Sequence, residues 1–166
     1  MDASRANRLT VAGLFAFVLA AAAIAYYGRA ELDKSRTPAP IDPRDAAQVE
    51  RGRVVYASYC ASCHGGQLEG QPDWRIRLPG GRMPAPPHDQ SGHTWHHPDE
   101  VLFGITQRGL VPPYAPKGYV SDMPAFGSVL PDSDIRAALA FIESRWPPEV
   151  VKLRNEMLEQ TRRQSK

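Results

Sequence analysis

The chain has 166 residues, 42% of them hydrophobic and 23% charged, with a net charge of +2. That composition is ordinary for a globular protein, and the small charge with no long basic run argues against a nucleic-acid binder. Two cysteines allow one disulfide at most, which excludes a disulfide-built scaffold, and the length leaves room for one domain plus extras.

Arg5 and Arg8 precede an uncharged run of 19 residues from Leu9 to Tyr27. As a helix it would be about 28 Å long, close to the ~30 Å hydrocarbon thickness of a bilayer. Tyr26 and Tyr27 suit the headgroup layer, and the two arginines bias the N-terminus towards the cytoplasm. Residues 1–28 therefore read as a transmembrane anchor. A signal peptide cleaved after Ala23-Ile24-Ala25 is the competing reading. Either way, the rest of the chain is exported. Residues 29–44 are charged and then proline-rich, which reads as a linker.

Residues 45–148 form the expected domain. Val49, Gly52, Val55, Tyr56 and Tyr59 recur with a period of three to four, predicting a helix started at Pro43 or Asp45. Gly52 would permit close approach of another helix, with Tyr56 packed beside the crossing. A second helix is expected from Pro98, with Asp99 and Glu100 in its first turn and Gly109 just past its end. Val101, Leu102 and Ile105 would face inward. The last helix has Asp132, Ser133 and Asp134 at its start and an apolar stripe of Ile135, Leu139, Ile142 and Trp146. Pro147 and Pro148 should stop it. No run alternates with period two, so the domain reads as all-α with long, ordered Gly/Pro-rich loops. Residues 149–166 form a charged C-terminal tail. It reads as a solvated extension, with a helix docking on a membrane partner as the alternative.

The two cysteines stand in Cys60-Ala61-Ser62-Cys63-His64, the Cys-x-x-Cys-His pattern of c-type haem attachment. On a helical turn, residues three apart share a face. Both thiols can then form thioethers with one haem, and the adjacent imidazole lies beneath the ring. A thioredoxin-like pair would need a βαβ context, and a zinc site would need two more ligands. For the second axial ligand, Met123 lies in an irregular loop shortly before the last helix, while Met83 lies in a segment read as cover for the His64 side. Met83 and a histidine are the alternatives.

His88, His93, His96 and His97 surround Trp95. They have three readings: local structure around the helix entry, donors to haem propionates from Trp95 and one histidine, or a copper or zinc site.

With "YCASCHG", "MPAF" before a final helix, and a Gly52/Tyr56 helix facing a C-terminal helix, residues 45–146 resemble a class I monohaem cytochrome c. The resemblance implies three main helices around one covalently bound haem c. It implies His64 and Met123 as axial ligands. It also implies a proline carbonyl accepting from the other nitrogen of His64. Pro84, Pro86 and Pro87 are available for that role, and Pro86 and Trp95 are the residues expected to contact the cofactor besides the cysteines and the axial ligands.

Iron held by both His and Met has no open position, so the expected function is one-electron transfer rather than catalysis. The chain then reads as a membrane-tethered carrier on the periplasmic side of a bacterial inner membrane. The resemblance implies a quinol-oxidising complex or dehydrogenase as donor and a terminal oxidase or reductase as acceptor. The alternatives are a haem c subunit of a respiratory complex, a gas sensor with a labile Met123, and a copper-handling protein.

Overall fold

Asp45 opens the first helix. Its carboxylate accepts from the backbone N–H of Ala47 at 2.9 Å and of Gln48 at 3.2 Å, satisfying donors that a helix start leaves without partners. Helix α1 follows over Ala46–Tyr59. The computed structural model describes residues 39–164, and all but Ala39 belong to one compact unit that begins at Pro40. The described elements are helical and include no strand.

The frame is the crossing of α1 with α4, Asp132–Ser144. Gly52 lies at the contact, where an added Cβ would run into the Ala137 carbonyl and the Cβ of Phe141. Ala137, Ala138 and Ala140 keep the facing surface of α4 low, and all three are buried. Ile135, Leu139, Ile142 and Trp146 are buried as their spacing predicts. Each fully buried aliphatic side chain stabilises the fold by about 1.5–3 kcal/mol. Tyr56 is 2% exposed; its ring meets Phe141 at 5.4 Å and its hydroxyl donates to Gly65 O at 2.9 Å. Tyr59 departs from the expected inward face. It is exposed, and its ring meets Phe126 edge-on.

Beyond α1, Cys60 leads into the single turn α2, Ala61–His64. Helix α3 spans Asp99–Arg108, with Pro98 as its cap rather than its first residue. Leu102 is buried while Val101 and Ile105 are only partly so. Two 3-10 turns, Thr94–His96 and Phe126–Ser128, interrupt the long connections.

Two expectations need correction. The tail is not a solvated extension: α5 spans Pro148–Gln164, and its Arg154 is 4% exposed. Pro147 and Pro148 do end the preceding helix, but Pro148 also begins the next, a position where its missing N–H costs nothing. The linker is not wholly a tether either. Ile41 is buried, and the Gln48 side chain bonds Pro40 O at 3.0 Å and Asp42 N at 2.8 Å. One apolar side chain and a two-point amide clamp are enough to hold the end of a proline-rich segment on the domain. The expected anchor, residues 1–28, and most of the linker lie outside the described residues. Among the described residues no helix is long and apolar enough to cross a membrane.

Candidate functional site

The α1–α2 junction places the two cysteines. Cys60 closes α1 by donating its N–H to Tyr56 O at 2.9 Å, and its own carbonyl accepts from Cys63 N at 3.1 Å and His64 N at 2.9 Å. Cys60 packs against the core and Cys63 is exposed, and the two are not joined in a disulfide. Burial, with Cys63 adding to it, pushes the Cys60 thiol up to about 11. Gly65 then turns the chain at φ +81°, and a side chain there would collide with the Glu69 carboxylate.

His64 is buried, and its Nδ1 lies 2.8 Å from Pro86 O. A carbonyl only accepts, so Nδ1 donates and the lone pair of the neutral ring is on Nε2. Burial lowers the His64 pKa and the Pro86 bond opposes that shift only in part. The ring is thereby held as a neutral imidazole with one nitrogen available to a metal. Of the three prolines considered from sequence, the geometry brings Pro86 to His64. Pro87 is fully buried behind it.

The segment that carries Pro86 is laced to the residues after His64. Gln71 N donates to Ala85 O at 2.9 Å and His88 N to Leu68 O at 2.8 Å, while Gly70 N closes the turn after the motif on His64 O at 2.8 Å. Gly70 has φ +70°, and a Cβ on it would meet the Pro86–Pro87 backbone. These contacts explain how residues 22 apart in sequence share one hydrogen bond.

Met123 is partly buried and packs against the core, with its backbone N–H on Ser121 Oγ at 3.0 Å. The neighbouring Asp122 pairs with Arg82 at 2.9 Å, tying the Met123 loop to the segment before Met83. Trp95 packs against the core as well, and its Nε1 is a buried donor with no partner. Such a donor costs about 1–3 kcal/mol unless something accepts from it. A carboxylate of a bound group fits that need.

The histidines separate into two groups. His88 stacks on His64, with ring centroids 4.0 Å apart and planes 21° apart. His93 stacks on Trp74 at 5.4 Å and meets His97 edge-on at 5.5 Å. Among the described residues no three His, Cys, Asp or Glu side chains gather to hold a metal ion, so the copper or zinc reading has no site there. Sequence reasoning placed His88 in the cluster without separating it from the others. Its position two residues after Pro86 was the available signal.

Buried Arg154 was missed altogether. Its guanidinium donates to Trp95 O at 3.1 Å, to His97 O, to the Asp99 carboxylate and to Glu143 Oε1 at 3.3 Å. Burial, then the Asp99 charge, pushes Glu143 up to about 8, against the pull of Arg154. Two carboxylates share one guanidinium, and Glu143 is the more deeply buried of the two.

The residues present fit a covalently bound haem: paired thiols on one turn, a neutral imidazole with a free Nε2, a thioether in a loop packed on the core, and an orphaned buried donor. A scan against protein families matches residues 47–142, more than half of the chain, to the family described as cytochrome C oxidase, cbb3-type, subunit III. No curated protein and no solved structure gives a match. The matched stretch runs from the start of α1 into α4, and takes in the attachment motif, the Pro86 segment and the Met123 loop. The chain therefore belongs to the cbb3-type subunit III family, and its domain is a monohaem c-type cytochrome, an electron-transfer fold with one covalently bound haem c.

Proposed function

We propose that the protein passes single electrons through a haem attached at Cys60 and Cys63, with His64 and Met123 as the two axial ligands. The observation that carries the reading is the 2.8 Å bond from His64 Nδ1 to Pro86 O, made by the histidine that directly follows the cysteine pair. When bound, the haem iron supplies a one-electron ferric/ferrous couple, and methionine ligation raises its potential.

The chain's own residues do the rest. Pro86 fixes the tautomer and orientation of His64 and raises its basicity as a ligand. Trp95 offers its unpaired indole N–H to a propionate. Ile135, Leu139 and Ile142 keep water from the interior and disfavour extra charge there. With His64 and Met123 both bound, no coordination position is open to a substrate, so chemistry at the metal gives way to electron exchange.

We further propose that residues 9–27 tether the domain to the outer face of a bacterial inner membrane. The 19-residue uncharged run behind Arg5 and Arg8 supports this. A tether would raise the effective concentration of its partners. In the primary reading the domain shuttles between a quinol-oxidising complex or dehydrogenase and a terminal oxidase or reductase. A second reading, favoured by the family description, is a resident haem c subunit of an oxidase. Detergent extraction and native co-purification separate the two. A shuttle leaves the membrane alone, whereas a subunit leaves with stoichiometric partners.

Spectra of membranes expressing the chain, with a haem-stained denaturing gel, test the ligation. Met123→Ala should remove the methionine–iron absorption band at the red end of the oxidised spectrum while covalent haem remains. Survival of that band would reassign the ligand. Carbon monoxide should not bind the reduced wild type at neutral pH, and rapid binding would favour a sensor instead.

A further inference from the structure

His64 has its position along the chain fixed by α2 and one ring nitrogen fixed by Pro86. A single hydrogen bond to a carbonyl tolerates a broad range of approach, and the last torsion of a histidine is soft. Something else must set the tilt of the ring. His88 lies face to face with it, 4.0 Å between centroids and 21° between planes.

His88 is itself braced at several points. Its backbone N–H donates to Leu68 O at 2.8 Å, and its carbonyl accepts from Trp146 Nε1 at 2.8 Å. Its Nδ1 lies 2.8 Å from Thr94 Oγ1, whose own proton points to Pro87 O at 3.4 Å. The hydroxyl oxygen therefore accepts a hydrogen bond from the Nδ1–H of His88, which fixes the ring's tautomer. Tyr56 stands edge-on to the ring at 6.3 Å while its hydroxyl holds Gly65 O, the carbonyl next to His64. Elements from both ends of the domain thus converge on one imidazole.

We propose that His88 is a positioning residue for His64, a stacked plate that fixes the orientation of the imidazole plane on the iron. The inference rests on the reading of His64 as an axial ligand. A plane fixed by a neighbouring ring gives one orientation of the ligand orbital relative to the haem. A plane left free gives a spread of orientations, and with it a spread of electronic states.

The test uses the full-length holoprotein in detergent, in the oxidised state. Two readouts follow ligand-plane orientation: the pattern of haem-methyl paramagnetic shifts and the width of the low-spin electron paramagnetic resonance signal. His88→Leu should keep covalent haem, yet redistribute the methyl shifts and broaden the signal. His88→Phe, which restores a flat ring, should return both towards wild type. Thr94→Val, which leaves the ring but removes its brace, should shift them in the same direction as His88→Leu by a smaller amount.

A wild-type pattern in His88→Leu overturns the proposal, as does a His88→Phe protein that behaves like His88→Leu. If His88→Leu fails to take up haem, Thr94→Val decides: a wild-type pattern there overturns the proposal. A wild type without a His/Met low-spin signature overturns the ligation itself, which is a different result from a normal wild type with unaltered variants.

Discussion

Where α1 crosses α4, backbone meets backbone, and the contact is made by what Gly52 and Ala137 lack. The segment from Pro86 to His97 is held quite differently. It has little regular structure, so its carbonyls find few partners along the chain, and side chains from elsewhere supply them. His64 serves Pro86 O, Trp146 serves His88 O, and Arg154 serves both Trp95 O and His97 O. The crossing is a matter of shape and apolar burial, and the loop is a matter of donors. One of those donors is the candidate haem ligand His64 itself, and another, Trp146, holds the carbonyl of His88, the ring stacked on it. The loop that shapes the site is therefore only as ordered as the helices that reach into it.

The contrast is broken most severely at Arg154. Removing one member of a buried charge cluster costs about 3–5 kcal/mol, because the remaining charges lose their partner. Arg154→Leu also strips donors from two loop carbonyls at once. Denaturant unfolding of the holoprotein should show a loss of that size. Haem content should persist, with the Trp95 fluorescence environment altered. A loss below about 1 kcal/mol would mean the guanidinium behaves as an ordinary surface pair. At the crossing, Gly52→Val adds bulk against a backbone that has little freedom to retreat, and should cost about 3 kcal/mol, the upper end for overpacking. Gly52→Ala should lie between, since the helix itself favours alanine by about 1 kcal/mol.

The same contrast decides what could be read from sequence. The helices of the crossing carry periodic apolar residues, and Gly52 in a helical pattern marks its own reason. Ile135, Leu139, Ile142 and Trp146 are all found where a 3.6-residue period puts them. The attachment motif is local, so five consecutive residues disclose the chemistry. Helix α5 is the reverse case. Its apolar stripe is weak, Leu153 is half exposed, and its anchor is an arginine whose partners stand 55 to 59 residues back in the chain and 11 residues back in α4. Periodicity registers only apolar faces, so a helix docked by charge reads as solvent-facing. His88 was opaque for a related reason: stacking on His64 depends on a loop closure between residues 64–71 and 84–88 that no local pattern encodes.

Glu143 offers the finest probe of the loop's charged fastening. Its carboxyl is pushed up to about 8 by burial first and by Asp99 second, from an ordinary value of 4.5. In the folded protein it therefore keeps its proton between pH 4.5 and about 8, where the unfolded chain has released it. Stability tied to this group is complete below pH 4.5 and is lost as pH rises towards 8, because the folded state binds more protons throughout that window. Glutamine copies the shape of the protonated acid but does not titrate. The difference in unfolding free energy between Glu143→Gln and wild type should then grow in favour of the variant by about 1.4 kcal/mol between pH 6 and pH 7. Groups common to both proteins cancel in that difference, which leaves the carboxyl facing Asp99 and Arg154 as the source of the slope. A flat difference would mean that Arg154 outweighs burial and that Glu143 is ionised in the fold. The cluster would then hold two carboxylates against one guanidinium with no proton between them. In that event Arg154→Leu should cost more at neutral pH than at pH 5, so the two experiments check each other.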